Sequence, residues 1–201
     1  VCLLTLRKQN EFGSILMSEK ITTHKSRDIT LVLGGASSGK SAWAEQYILG
    51  RAEKVGYIAT AQAFDAEMKE KIAQHRARRG DEWTTVEEPL DIVSCFDTFR
   101  ADHPVLLDCA TLWLSNLMLA QKDLWMESNA LMEHLKHHSG ELVIVSNETG
   151  LSVVPHTKMG RDFQKAQGHL NQQLAALADR VVFIVAGLPM LLKGQLERDN
   201  A

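Results

Sequence analysis

The chain has 201 residues, 45% of them hydrophobic, and a formal net charge of −3. That is enough apolar material for one core of ordinary size, and there is no basic footprint for nucleic acid. No run is long and apolar enough to span a membrane, and Cys2, Cys95 and Cys109 lack metal-site or paired-framework spacing, which fits reduced thiols in a cytoplasm.

Residues 1–28 carry no core-forming pattern. Val1 to Leu6 is too short for a signal-peptide core, and Arg7 to Glu11 interrupts it at once. The expectation is a mobile N-terminal extension over 1–28, with an ordered arm as the alternative and Met17 as an alternative start. Residues 29–201 then form a single domain.

Ile29 to Leu33 reads as a buried strand and Ser41 to Leu49 as a helix. Between them, Gly34-Gly35-Ala36-Ser37-Ser38-Gly39-Lys40-Ser41 fits the phosphate-binding P-loop pattern G-x-x-x-x-G-K-[ST]. The glycines let successive N–H groups point at phosphate oxygens, and the helix N-terminus lies behind them. In such a loop Lys40 reaches the β- and γ-phosphates, and Ser41 ligates Mg²⁺.

Lys54 to Thr60 is a second apolar run. Asp65 is placed as a helix N-cap; Met68, Ile72, His75 and Arg79 follow at helical spacing on one face, and Gly80 stops the helix. Trp83 to Glu87 alternates as a short strand ended by Pro89, and Leu90 to Arg100 reads as a helix. Val105-Leu106-Leu107-Asp108 has the shape of a Walker B strand, whose carboxylate approaches Mg²⁺. Thr111 to Ala120 reads as a buried helix, Asp123 to Glu127 as a break, and Ser128 to His138 as a second helical piece. His134, His137 and His138 fit a solvated helix end better than a metal site.

Glu141 to Ser146 is another buried strand, and the polar Asn147 and Glu148 follow where α/β proteins bind ligands. Phe163, Ala166, Leu170, Leu174 and Leu177 mark an amphipathic helix with a glutamine-rich outer face. Arg180 to Ala186 reads as the last strand, Gly187-Leu188-Pro189 as a turn, and the tail from Glu197 as frayed. Alternating strands and helices imply an α/β fold, a mostly parallel sheet flanked by helices, with the site along one sheet edge.

Six segments extend the P-loop to a more specific pattern. They are Gly34–Ser41; Tyr57-Ile58-Ala59-Thr60-Ala61-Gln62; Glu67-Met68 with Ile72 to Arg76; Leu107 to Leu117; Val145 to Gly150; and Val185 to Pro189. In that order they closely resemble the bifunctional adenosylcobinamide kinase / adenosylcobinamide-phosphate guanylyltransferase family of cobalamin biosynthesis. The resemblance covers roughly residues 29 to 194. It implies a P-loop fold of the RecA-like group, commonly a homotrimer. It also implies two reactions: phosphorylation of adenosylcobinamide by ATP or GTP, then transfer of GMP from GTP through a guanylylated histidine.

By the resemblance that histidine is His75, which local sequence alone would leave as a hydrogen-bonded side chain on a half-buried face. The nucleotide-binding expectation comprises Gly34, Gly35, Ala36, Ser37, Ser38, Gly39, Lys40, Ser41, Thr60, Ala61, Gln62, Arg76, Arg79, Glu87 and Asp108. Arg76 and Arg79 lie within a turn of His75 and can neutralise phosphate charge. Lys40 and His75 are the expected catalytic groups, and Ser41 with Asp108 the expected Mg²⁺ ligands. The chain departs from the family at Ser37, where arginine is frequent, at Thr149, where valine is common, and at Gln74, where some members have a second histidine.

Two other readings stay open at this level. A small-molecule P-loop kinase without guanylyl transfer needs only Lys40, Ser41 and Asp108. A nucleotide-dependent binding switch is disfavoured because Asn147-Glu148-Thr149-Gly150 is no N-K-x-D guanine-reading motif.

Overall fold

The computed structural model describes residues 27–63, 70, 73, 76, 77, 79–100 and 103–196. Among these residues seven strands run β1 (Asp28–Gly34), β2 (Val55–Ala59), β3 (Trp83–Glu87), β4 (Val105–Asp108), β5 (Glu141–Asn147), β6 (Arg180–Val185) and β7 (Leu188–Lys193). They form one sheet in the order β3-β2-β4-β5-β1-β6-β7. Every pairing is parallel except β6 with β7.

Side chains alternate across the sheet, so each strand feeds two cores. Val32, Tyr57, Leu106, Val143 and Val182 pack with Ala44 and Ile48 of α1 (Lys40–Leu49) on one face. Leu31, Ile58, Leu107, Ile144 and Val181 pack on the other face. There they meet α2 (Ile92–Cys95), α3 (Ala110–Leu119), α4 (Leu124–His137) and α5 (Lys158–Leu177). None of these helices is long and apolar enough to cross a membrane.

Strand register gathers the carboxyl ends that matter. Gly34 pairs with Asn147, Asp108 with Val145, and Ala59 with both Asp108 and Glu87. The ends of β1, β5, β4, β2 and β3 therefore lie along one sheet edge, where an α/β fold binds its ligand.

Several local expectations need correction. Leu90 to Arg100 is not one helix: α2 spans four residues, then a 3₁₀ turn covers Phe96–Thr98. The Ser94 hydroxyl donates to the Asp91 carbonyl and the Thr98 hydroxyl to the Cys95 carbonyl, local bonds that compete with a continuing helix. Asp123 does not break structure but starts it, its carboxylate accepting from the backbone N–H groups of Trp125 and Met126 at 2.9 and 3.1 Å.

The outer face of α5 is not uniformly glutamine: Gln167 and Asn171 are buried. His134 and His138 are half-buried against Phe96, with ring centroids at 4.8 and 5.5 Å, and only His137 matches the solvated expectation. Among the described residues no group of three or more His, Cys, Asp or Glu side chains is placed to hold a metal. Finally, Arg180 does not begin the last strand. The turn is Ala186-Gly187, both at positive φ (51° and 80°), and Leu188 and Pro189 belong to β7. Such paired positive φ values suit a tight two-residue hairpin, and Pro189 is tolerated because β7 is a sheet edge.

The segment expected to form the helix from Asp65 is helical at Glu70, Ala73, Arg76 and Ala77. Met68, Ile72 and His75, with the capping role of Asp65, lie outside the described residues, as do 1–26 and the tail from Glu197.

Candidate functional site

The loop between β1 and α1 is shaped by what its glycines exclude. A Cβ on Gly34 would stand 2.5 Å from Ser38 Oγ and 2.8 Å from the Ile184 carbonyl oxygen. Gly39 adopts φ 92°, a left-handed conformation that a side chain disfavours, and starts α1. The turn of the β6–β7 hairpin backs this loop, the Gly187 N–H donating to the Ser38 carbonyl at 2.8 Å. Lys40 is buried, and its ammonium donates to the Gly35 carbonyl at 3.0 Å. Burial lowers its pKa, opposed in part by Cys109 and Asp108.

Across the cavity, Asp108 ends β4. Thr60, fully buried, ties the ends of β2 and β4: its hydroxyl donates to the Cys109 carbonyl at 2.8 Å and accepts the Cys109 N–H at 2.9 Å. Tyr57 donates its hydroxyl to Asp108 Oδ2 at 2.9 Å, while the Arg79 guanidinium sits 3.4 Å over the Tyr57 ring centroid. Burial and the adjacent Asp108 carboxylate raise the tyrosine pKa, so Tyr57 stays a donor. Burial likewise pushes the Cys109 thiol up to about 12. Arg76 reaches Glu87 at 3.1 Å, both largely exposed.

These groups surround a cavity of about 440 Å³. Of the residues expected from sequence, Ala36, Ser37, Lys40, Ser41, Ala61, Arg76, Arg79, Glu87 and Asp108 line it. Gly34, Gly35, Ser38 and Gly39 shape the loop behind, and Thr60 braces the floor without lining it; Gln62 is also outside the lining. The cavity adds Tyr57, Ala59, Ala63, Cys109, Leu112 and Asn147. Tyr57 was legible only as a strand residue; its i, i+2 relation to Ala59 puts both on one side of β2. Asn147 had a signal, being the first polar side chain after a buried strand. Ser41 and Asp108 offer hard oxygen donors in one cavity, a set that suits Mg²⁺.

A family model described as cobinamide kinase / cobinamide phosphate guanyltransferase matches residues 30–192. The chain is 48% identical over 168 residues to the bifunctional adenosylcobalamin biosynthesis protein CobP of Pseudomonas aeruginosa, covering 82% of this chain and 97% of that protein. It is 36% identical over 180 residues to the CobU protein of Escherichia coli, covering 81% and 98%. Among solved structures, an ATPase of the type III secretion system of pathogenic bacteria overlays with a TM-score of 0.53 at 9% identity, over 83% of this chain and 57% of that one. A Pyrococcus horikoshii protein, PH0250, overlays at 0.52 and 7% identity, over 86% and 89%. At such identities these overlays establish a shared fold.

Proposed function

The chain belongs to the cobinamide kinase / cobinamide phosphate guanyltransferase family of enzymes, and we propose that it performs both reactions of that family at this one cavity, the second through a guanylylated His75. What supports this reading is the convergence of two sets of residues. Lys40, Ser41 and Asp108 supply a phosphoryl-transfer site; Arg76 and Arg79, from the segment that contains His75, and Glu87, at the end of β3, line the same cavity.

In the first step the alcohol oxygen of adenosylcobinamide attacks the γ-phosphorus of ATP or GTP. The bond to the β,γ-bridging oxygen breaks, the nucleoside diphosphate leaves, and the alcohol proton passes to solvent. The Lys40 ammonium, desolvated and aimed by Gly35, stabilises charge on the transferring group. Ser41 and Asp108 would hold Mg²⁺, which neutralises phosphate charge when bound. In the second step a neutral His75 nitrogen attacks the α-phosphorus of GTP and pyrophosphate leaves, Arg76 and Arg79 offsetting its charge. A phosphate oxygen of adenosylcobinamide phosphate then attacks the histidine-bound phosphorus, the N–P bond breaks, and adenosylcobinamide-GDP is formed.

The test is incubation with α-labelled GTP and mass mapping of the labelled peptide. The label is expected on His75, acid-labile and base-stable, and absent in His75→Ala with much of the kinase step retained. Normal labelling of His75→Ala would place the nucleophile elsewhere.

A homotrimer in the cytoplasm completes the proposal. The exposed apolar side chains of Leu188, Met190, Leu191 and Leu192 on β7 support an assembly surface. Cys95 and Cys109, both free and buried, are compatible with a reducing compartment.

A further inference from the structure

β5 lies between the P-loop strand and the strand carrying Asp108, so its last residue faces the place where a terminal phosphate and its acceptor would meet. That residue is Asn147, in register with Gly34 and two positions beyond the partner of Asp108. Its carboxamide lines the cavity with Lys40, Ser41 and Asp108. Its Oδ1 is buried without a hydrogen-bond partner among the described residues. With Oδ1 buried, the carboxamide meets the cavity through its Nδ2–H groups.

The backbone of Asn147 is held by two other side chains. Its N–H donates to Thr111 Oγ1 at 2.7 Å, and its carbonyl accepts from Asn171 Nδ2 at 3.0 Å. A buried network fixes both. The Ser146 hydroxyl donates to Asn171 Oδ1 at 2.7 Å, and Gln167 Nε2 donates to that same oxygen and to Ser146 Oγ, each at 2.9 Å. With the Ser146 proton spent on Asn171, its 3.3 Å contact with Thr111 makes Thr111 the donor. Thr111 is thereby left as an acceptor for the Asn147 N–H. Four buried polar side chains from α3, β5 and α5 converge on one residue, although an apolar set would fill the same space without desolvating polar groups.

We propose that Asn147 is a further catalytic residue of the phosphoryl-transfer step. Its Nδ2–H donates to an oxygen of the terminal phosphoryl group. This rests on the kinase reading of the cavity and adds to it the residue that distinguishes a triphosphate from a diphosphate. A carboxamide N–H suits the phosphoryl oxygens, which only accept. A carboxylate at this position would repel the phosphate, and a hydrocarbon would not bind it. Asn147 takes no proton; it holds the phosphorus in line for the attacking oxygen.

The test compares the wild type with Asn147→Ala and the near-isosteric Asn147→Asp. Calorimetry measures affinity for GDP and for a non-hydrolysable GTP analogue, and a product assay follows phosphorylation of cobinamide. Asn147→Ala is expected to weaken the triphosphate analogue about tenfold with GDP within about twofold, and to lower the kinase kcat about a hundredfold. Asn147→Asp is expected to weaken the triphosphate further, again sparing GDP. An unchanged ratio of triphosphate to diphosphate affinity in both variants, whether both ligands bind normally or both are lost, overturns the proposal. If the wild type fails to phosphorylate cobinamide while Asn147→Ala still loses triphosphate selectivity, the substrate reading falls and the terminal-phosphate role stands. If the wild type phosphorylates cobinamide and the ratio is unchanged, the role of Asn147 alone falls.

Discussion

Lys40 shows how burial and one backbone bond hold a flexible side chain in place. The residue is 9% exposed and its ammonium is bonded to its own loop at Gly35, so on the proposed kinase reading little reorganisation is needed when phosphate charge develops. Lys40→Ala is therefore expected to lower kinase turnover at least about a hundredfold, with the melting curve preserved because the side chain faces the cavity. Near-normal turnover in a folded variant would remove the P-loop assignment. His138 is a titratable group of a different kind. Burial chiefly, and the nearby His134 second, lower its pKa from 6.5 to about 4. The folded state thus resists a proton that the unfolded chain accepts, so the contribution is whole above about pH 6.5 and is lost as pH falls toward 4. Melting temperature should drop more steeply over that window in the wild type than in His138→Leu; parallel profiles would show that the ring titrates as if exposed.

At the scale of elements, capping chemistry was readable while its consequences were sometimes misplaced. Asp123 is a strong N-cap type, yet the polar stretch around it reads equally as a break until its carboxylate is seen bonded to Trp125 and Met126. Gln167 and Asn171 look like solvent-facing polar residues in an amphipathic helix. Only the approach of α5 to the end of β5 buries them and gives them partners. The β6–β7 hairpin was hidden because Pro189 signals a turn, whereas the turn is Ala186-Gly187. Ala186 holds φ 51° without the freedom of glycine, so Ala186→Gly should stabilise by about 1 kcal/mol. The expected readout is a rise in melting temperature of about 2 °C. A lower melting temperature would show that the Ala186 methyl contributes packing that outweighs the strain.

For the whole molecule, β7 both covers the edge of β6 and presents apolar side chains outward. Met190 is 52% and Leu192 56% exposed, and such a face invites burial against another copy. If the proposed trimer uses it, Met190→Lys with Leu192→Glu should yield monomers by light scattering while the fold is kept. A trimer that survives both substitutions would place the interface elsewhere.

The sequence by itself determined the P-loop, the carboxylate at the end of β4, the alternation of strands and helices, and the family. The first three are written in local spacing: glycines where backbone must approach phosphate, apolar runs of strand length, and a carboxylate at a strand end; the family rests on the resemblance of six segments. Tertiary structure alone decided that β5 separates β1 from β4, that Tyr57 meets Asp108, and that Thr111, Gln167 and Asn171 converge on Asn147. The Tyr57–Asp108 bond joins residues 51 positions apart, and the pairing of Gly34 with Asn147 joins residues further apart still. They depend on strand order and register, and no local period carries strand order.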